Sequence, residues 1–231
     1  MVTRMKVSAL AIASALAVAL GAFACATARP VSLLRIDDPA FTRAAPDSFD
    51  VQFVTTKGTM LVRARRWWSP NGVDRFYALA ANNYFDTIGF YRTIGNFVAQ
   101  FGFSGDTAVN RAWRNKNIPD DTVRVVNQRG TLSFARGGPR TRSTQFFFNL
   151  VDNTPRLDTL NTIGFPPIAQ VIDGIEVLDK LNTEYSGVRG VNPAPQGPSQ
   201  DSIARQGNAY LRRHFPRLDY IVRARVVRVW R

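Results

Sequence analysis

Cysteine and histidine are almost missing from this chain: Cys25 and His214 are the only ones in 231 residues. A single cysteine excludes an intramolecular disulfide. A structural zinc site takes four Cys or His ligands, so that class is excluded as well. Ser-His-Asp and Cys-His catalysis would both have to recruit His214, which stands far from the motif-rich centre of the chain. Chemistry that leans on imidazole is therefore not expected, and neither a metal nor another cofactor is expected. Lysine is scarce too, with 4 of the 30 basic residues, the rest being arginine. Acidic residues number 17, which leaves a formal charge of +13. Such a balance suits nucleic acid, an anionic membrane surface or acidic clients. The arginines are scattered without a continuous basic run, so a nucleic-acid footprint is not expected, and a composition biased to arginine accounts for the charge.

What is present is an ordinary core-forming fraction of 45% hydrophobic residues. The chain starts with Arg4 and Lys6, followed by an uncharged Ala/Leu/Val-rich segment, 7–24, that ends in small residues at Ala22 and Ala24. That pattern predicts a secretory signal peptide over 1–24 and export to the periplasm or cell envelope. An uncleaved membrane anchor is the competing reading, for which the segment is borderline in length. Cys25 follows Ala22-Phe23-Ala24. This resembles a bacterial lipoprotein cleavage site and makes Cys25 a candidate lipid-attachment residue, with plain cleavage after Ala24 or Ala28 as the alternative. Pro30, Asp38-Pro39 and Ala45-Pro46 mark 25–48 as a linker. Residues 49–231 then read as one domain.

Within it, 50–55 alternates with Val51 and Phe53 on one face, and Lys57-Gly58 turns the chain into a second strand over 59–64. Ser69-Pro70 predicts a helix start, and Val73, Phe76, Tyr77 and Ala80 follow at helical spacing. Short apolar strands are predicted at 97–101, 131–135, 145–151 and 168–172. A second helix is predicted after Asp173-Gly174, with Val177, Leu178 and Leu181 inward. Residues 186–201 read as a long loop, 203–215 as a short helix and 220–230 as the closing strand. Many short strands and two main helices point to an antiparallel barrel rather than a parallel βαβ sheet.

Three runs carry the chemistry. The first is Phe90-Tyr91-Arg92-Thr93-Ile94-Gly95-Asn96-Phe97-Val98-Ala99-Gln100. The second joins Gly130-Thr131-Leu132-Ser133-Phe134-Ala135-Arg136 to Gln145-Phe146-Phe147-Phe148-Asn149. The third is Leu157-Asp158 with Gln170-Val171-Ile172-Asp173-Gly174. In order and spacing these runs resemble the cyclophilin family of peptidyl-prolyl cis/trans isomerases over about residues 50–231. Trp113-Arg114 and Asp120-Asp121 look like a bacterial and plant-type branch of it. The resemblance implies a mainly β fold, a closed antiparallel eight-stranded cyclophilin-like barrel capped by two α-helices. It also implies an isomerase that accelerates rotation about X-Pro bonds and assists the folding of exported proteins.

That reaction fits the sparse inventory. Peptide-bond rotation has a barrier of roughly 18–20 kcal/mol, and before proline it takes on the order of tens to hundreds of seconds. No bond is broken, so no nucleophile or base is required. A dry pocket for the proline ring and a donor that favours the twisted amide suffice. By resemblance Arg92 is the catalytic residue, since its guanidinium stays charged and presents a fixed fork of donors. Substrate binding falls to Phe97, Val98, Phe147 and Leu157 as the apolar floor, with Phe165 at a later pocket position. Gln100 and Gln145 are expected to hold the substrate backbone and keep Arg92 in place, and the backbone at Arg136 to line the groove.

The pattern departs from the family at its edge. Arg156 stands where an aromatic residue commonly precedes the Leu-Asp pair, Arg140 stands at a usual Asn, and Arg136 and Arg142 add charge to the expected rim. The expected partners are proline-containing unfolded or flexible polypeptides, cyclosporin-like ligands, and a membrane if Cys25 is lipidated. A monomer is expected. The alternative reading is a catalytically weak cyclophilin-like module that binds proline segments or acts as a chaperone.

Overall fold

The computed structural model describes residues 29–160, 163–187 and 195–230. The predicted leader and Cys25 lie outside the described residues. Strand β1 (Ser48–Thr55) and strand β2 (Gly58–Arg65) form the expected hairpin, with Thr55 paired to Gly58 across the turn. The alternation sends Phe49, Val51, Phe53, Met60, Val62 and Ala64 into the core, each fully buried. On the opposite face Asp50 meets its cross-strand partner Arg63 through two hydrogen bonds of 2.8 and 2.9 Å.

Seven more strands complete one sheet: β3 (Ile88–Gly89), β4 (Arg92–Ile94), β5 (Val98–Phe101), β6 (Thr131–Phe134), β7 (Phe146–Asn149), β8 (Pro167–Asp173) and β9 (Tyr220–Trp230). Their spatial order is β3-β9-β1-β2-β8-β6-β7-β5-β4, and every pair is antiparallel. The mainly β expectation holds, but the closed eight-stranded barrel does not: among the described residues the sheet has nine strands and an open ladder. Its two edge strands are β3 and β4, separated in sequence only by Phe90 and Tyr91. The chain leaves β9 at Gly89 and takes β5 as partner from Arg92 onward. The edges are thus joined by the chain itself, with no hydrogen-bond ladder between them.

The expected two helices become four α-helices among the described residues: α1 (Pro70–Ala81), α2 (Thr107–Trp113), α3 (Thr154–Leu157) and α4 (Gln200–His214). The helix predicted after Gly174 is instead a 3-10 helix, Ile175–Lys180. It is held between left-handed Gly174 and extended Leu181, which bound it at both ends. Helix α1 places Phe76 in the core, with ring centroids between 5.6 and 6.3 Å from Phe49, Phe53, Phe85 and Phe146. Emptying such a position costs about 3–5 kcal/mol.

Ser69 occupies the N-cap of α1 as predicted, but its side chain makes no capping bond. The caps come from Asp121. Its Oδ1 accepts from the Asn71 N–H at 3.1 Å and its Oδ2 from the Gly72 N–H at 2.9 Å.

Helix α4 kinks at Gly207, where φ is +59°. A Cβ there would stand 2.1 Å from the Gly105 carbonyl oxygen, so the close approach of α4 to the loop before α2 requires glycine.

The expected linker is a packed strap over its described part. The Val31 N–H donates to Asn82 Oδ1 at 2.7 Å, and the Trp113 indole donates to the Leu33 carbonyl at 2.8 Å. Phe41 is buried edge-on against Trp113, 5.0 Å between centroids, and the Ala45 N–H donates to Asp74. Apolar residues between the prolines give this segment a face to bury, which a reading from turn residues alone does not register.

Candidate active site

Strand parity decides which aromatic residues leave the core. In Phe146-Phe147-Phe148 the outer two point inward and join the main core, whereas Phe147 faces the other side of the sheet. There it forms a separate cluster with Val98 and Leu157, all three buried, against which Phe97, Ala135 and Phe165 pack. The Phe165 ring meets Phe147 edge-on at 5.7 Å. The structure therefore brings together every apolar residue expected for the proline pocket.

The polar side of the site follows from register. Arg92 on β4 pairs with Gln100 on β5, and Gln100 pairs with Phe147 on β7, so the three stand in one row across three strands. Arg92 Nη1 donates to Gln100 Oε1 at 3.2 Å. Gln145 differs from the expectation: its Oε1 accepts from the Tyr91 hydroxyl at 3.0 Å, so it is held by Tyr91 rather than holding Arg92. Tyr91 is 1% exposed, and burial raises its pKa far above the ordinary phenol value despite the opposing charge of Arg92. The hydroxyl stays protonated, which leaves Gln145 with its amide N–H groups free for a ligand. A cavity of about 260 Å³ is lined by Arg92 together with Tyr91, Tyr185, Pro198 and Gln200.

Sequence reasoning missed what supports the pocket. Asn127 is fully buried, and its Nδ2 donates to Asp158 Oδ1 at 2.7 Å and to the Phe165 carbonyl at 2.8 Å. Its Oδ1 accepts from Ser133 Oγ at 2.9 Å and from Asn149 Nδ2 at 3.1 Å. Asn153 Nδ2 closes the network on Asn149 Oδ1 at 2.8 Å and on the Phe97 carbonyl at 2.9 Å. Three buried amides thus tie together the backbones of Phe97 and Phe165 on opposite sides of the apolar cluster. Buried amides without a ligand-facing role are satisfied by such networks, and the asparagines carry no spacing that distinguishes them from loop residues.

The four rim arginines separate. Arg142 is fully buried and is structural: Nη2 donates to Asp121 Oδ2 at 2.9 Å and to the Pro119 carbonyl, and the guanidinium lies 5.5 Å from the Phe134 ring. Arg140 is exposed, at φ +56°. Arg136 lines the pocket with its side chain as well as its backbone. Its Nη2 donates to the Gly164 carbonyl at 2.5 Å, and its guanidinium stands 4.8 Å from the Phe165 ring centre. Burial lowers its pKa, against the pull of Asp120. Arg156 is exposed and lies over Phe97, 4.4 Å from the ring centre. His214 is exposed at the end of α4, beside Tyr210.

Residues 49–204 match the family model of the cyclophilin type peptidyl-prolyl cis-trans isomerases. The chain is 35% identical over 117 residues to peptidyl-prolyl cis-trans isomerase-like 3 of Homo sapiens, covering 49% of this chain and 69% of that protein. It is 27% identical over 157 residues to peptidyl-prolyl cis-trans isomerase B of Escherichia coli, covering 66% and 94%. Among solved structures, a cyclophilin type peptidyl-prolyl cis-trans isomerase of Cryptosporidium parvum superposes with a TM-score of 0.56 at 18% identity. It spans 78% of this chain and 98% of that one. The same Cryptosporidium protein crystallised in the presence of the dipeptide Ala-Pro gives a TM-score of 0.54.

Proposed function

This chain belongs to the cyclophilin-type peptidyl-prolyl cis-trans isomerase family, and we propose that it catalyses X-Pro rotation at Arg92 above the apolar cluster of Val98, Phe147 and Leu157. One observation carries the assignment. A half-buried guanidinium, oriented by Gln100, borders an apolar pocket floored by Phe147, in the same sheet row. The proline ring fills the pocket. As the amide twists, its nitrogen loses conjugation and gains a lone pair, and a guanidinium donor placed there stabilises the twisted form more than the planar one. The amide N–H groups of Gln145, fixed by Tyr91, hold the neighbouring substrate carbonyl. The Ala-Pro dipeptide used with the Cryptosporidium relative supports a proline-containing peptide as substrate.

The wider setting belongs to the same proposal. The basic start, apolar segment and small residues of 1–24 support export to the periplasm or cell envelope, with Cys25 as the lipid-attachment residue. The clients would then be exported polypeptides that fold there. Trp113-Arg114 and Asp120-Asp121 support membership of a bacterial and plant-type branch. Accumulation of an unprocessed precursor under globomycin tests lipidation, and normal processing under the drug rejects it.

The second reading, a binding module with weak turnover, is favoured by Arg156, whose guanidinium lies over the ring of Phe97 at the edge of the apolar cluster. A protease-coupled isomerisation assay decides between the two. Catalysis by the wild type that falls about 10²–10³-fold in Arg92→Ala supports the active-site assignment. Equal rates for the two proteins reject it.

A further inference from the structure

We propose that Arg136 and Arg156 make this site selective for polypeptides carrying acidic residues beside the proline. The inference rests on the isomerase reading and names the substrate class of that site. The fold neutralises many of its guanidiniums locally. Arg63 with Asp50, Arg66 with Asp74, Arg129 with Asp179, Arg142 with Asp121 and Arg225 with Asp86 form ion pairs of 2.6–2.9 Å. Other arginines on the surface lack such a partner too, but at the mouth of the pocket none has one. Among the described residues, Arg92, Arg136 and Arg156 have no carboxylate within ion-pair distance. Arg92 is answered by an amide, Arg136 by a carbonyl and a ring, and Arg156 by a ring.

Two of the nearby carboxylates are committed elsewhere: Asp158 accepts from Asn127 and Asp152 from the Thr154 N–H. Asp120 accepts from the Arg140 N–H through Oδ2, and its Oδ1 lies 3.4 Å from Arg142 Nε without a hydrogen bond; its charge reaches Arg136 only from beyond ion-pair distance. The two guanidiniums lie against the rings of Phe97 and Phe165, which frame the pocket, so their stacking fixes them in place without neutralising them. Arg136 also keeps Nε and Nη1 sheltered from water with no hydrogen-bond partner. Sheltered donors of this kind are rare in folded proteins and are relieved when an acceptor docks. An apolar wall behind a charge strengthens its attraction for a carboxylate, and the same field repels lysine. Arg142, buried and ion-paired, takes no part.

The test compares two peptides, Glu-Ala-Pro-Glu and Lys-Ala-Pro-Lys, by exchange NMR with the purified full chain, each rate divided by its uncatalysed rate. At about 0.01 M ionic strength the acidic peptide should be favoured roughly fivefold in kcat/KM, the scale of one or two half-exposed ion pairs. The ratio should shrink toward one at about 1 M salt, where the screening length falls to about 3 Å. Arg156→Gln, an exposed substitution, should at least halve the low-salt ratio, and adding Arg136→Gln should abolish it. If the double variant fails to fold, the single variant still decides the matter. Catalysis with no preference, a preference for the lysine peptide, or an acidic preference that survives Arg156→Gln would overturn the inference and leave the isomerase reading standing. No catalysis on either peptide would overturn that reading itself.

Discussion

Arg92 and Gln100, eight residues apart, face each other across the β4–β5 hairpin, and the guanidinium donates to the amide oxygen at 3.2 Å. The pairing makes Gln100 a positioning residue: it restricts the rotamers of a long side chain that would otherwise lose entropy on reaching the substrate.

Gln100→Leu should therefore keep the fold, since Leu matches the volume of a residue that is 8% exposed beside Phe147. It should lower kcat/KM for an Ala-Pro peptide by about tenfold, the worth of one hydrogen bond to a charged group. The loss should appear mainly in kcat. An unchanged kcat, with a raised KM alone, would show that Gln100 binds the peptide and leaves Arg92 unguided.

Asn127→Ala tests the amide network behind the pocket. It strands the Phe165 carbonyl and the Ser133 hydroxyl in a buried setting and leaves Asp158 Oδ1 only the backbone N–H of residue 127. Stability should drop by about 3 kcal/mol in urea denaturation, and affinity for proline peptides should fall with it. A loss under about 0.5 kcal/mol, the range of ordinary surface changes, would mean that the network does not hold the pocket.

Acid stability should depend on Asp121. Burial alone would raise its pKa, but hydrogen bonds from Ser69, the Gly72 N–H and Arg142 outweigh burial and hold it below the ordinary carboxylate value. A depressed folded pKa means that the stabilisation is fully present above the unfolded value, about 3.9. It is lost as pH falls through the folded one. Urea midpoints measured from pH 6 downward should fall steeply below about pH 4. Asp121→Asn should begin less stable, because buried Arg142 loses its shorter ion pair and keeps only the 3.4 Å one to Asp120, and should show a shallower acid limb. An identical slope in the variant would remove Asp121 from the acid response.

Arg140 sits in the left-handed region at φ +56°, with its side chain in solvent and its N–H held by Asp120. Asn tolerates this conformation better than a long side chain does. Arg140→Asn should thus raise stability by about 0.5–1 kcal/mol, seen as a higher thermal midpoint. No rise would show that the loop carries no strain there.

The hairpin, the first helix, the closing strand and the residues of the proline pocket were legible because they rest on local signals. Alternation over 50–55 and helical spacing from Val73 to Ala80 both follow from backbone geometry within a few residues. The family motifs named Arg92, Phe97, Val98, Gln100, Phe147, Leu157 and Phe165, all of which gather at one site. Other features were not legible. Ser69 reads as a helix cap, yet the capping oxygens belong to Asp121, 52 residues away. Gln100 and Gln145 look alike in the motifs, yet one holds Arg92 and the other is held by Tyr91.

The sequence by itself determined which residues pair polar with apolar along each strand, and so which chemistry is at hand: a guanidinium, two amides and an apolar floor, without imidazole or thiol beside them. Only the tertiary structure decided how four similar arginines divide. Arg142 is buried on Asp121, Arg140 faces solvent, and Arg136 and Arg156 rest on the rings that frame the pocket. The reason is physical. A charged side chain takes its place according to which carboxylate or ring lies within a few ångströms, and those neighbours are brought in by strand register and loop packing across distant parts of the chain.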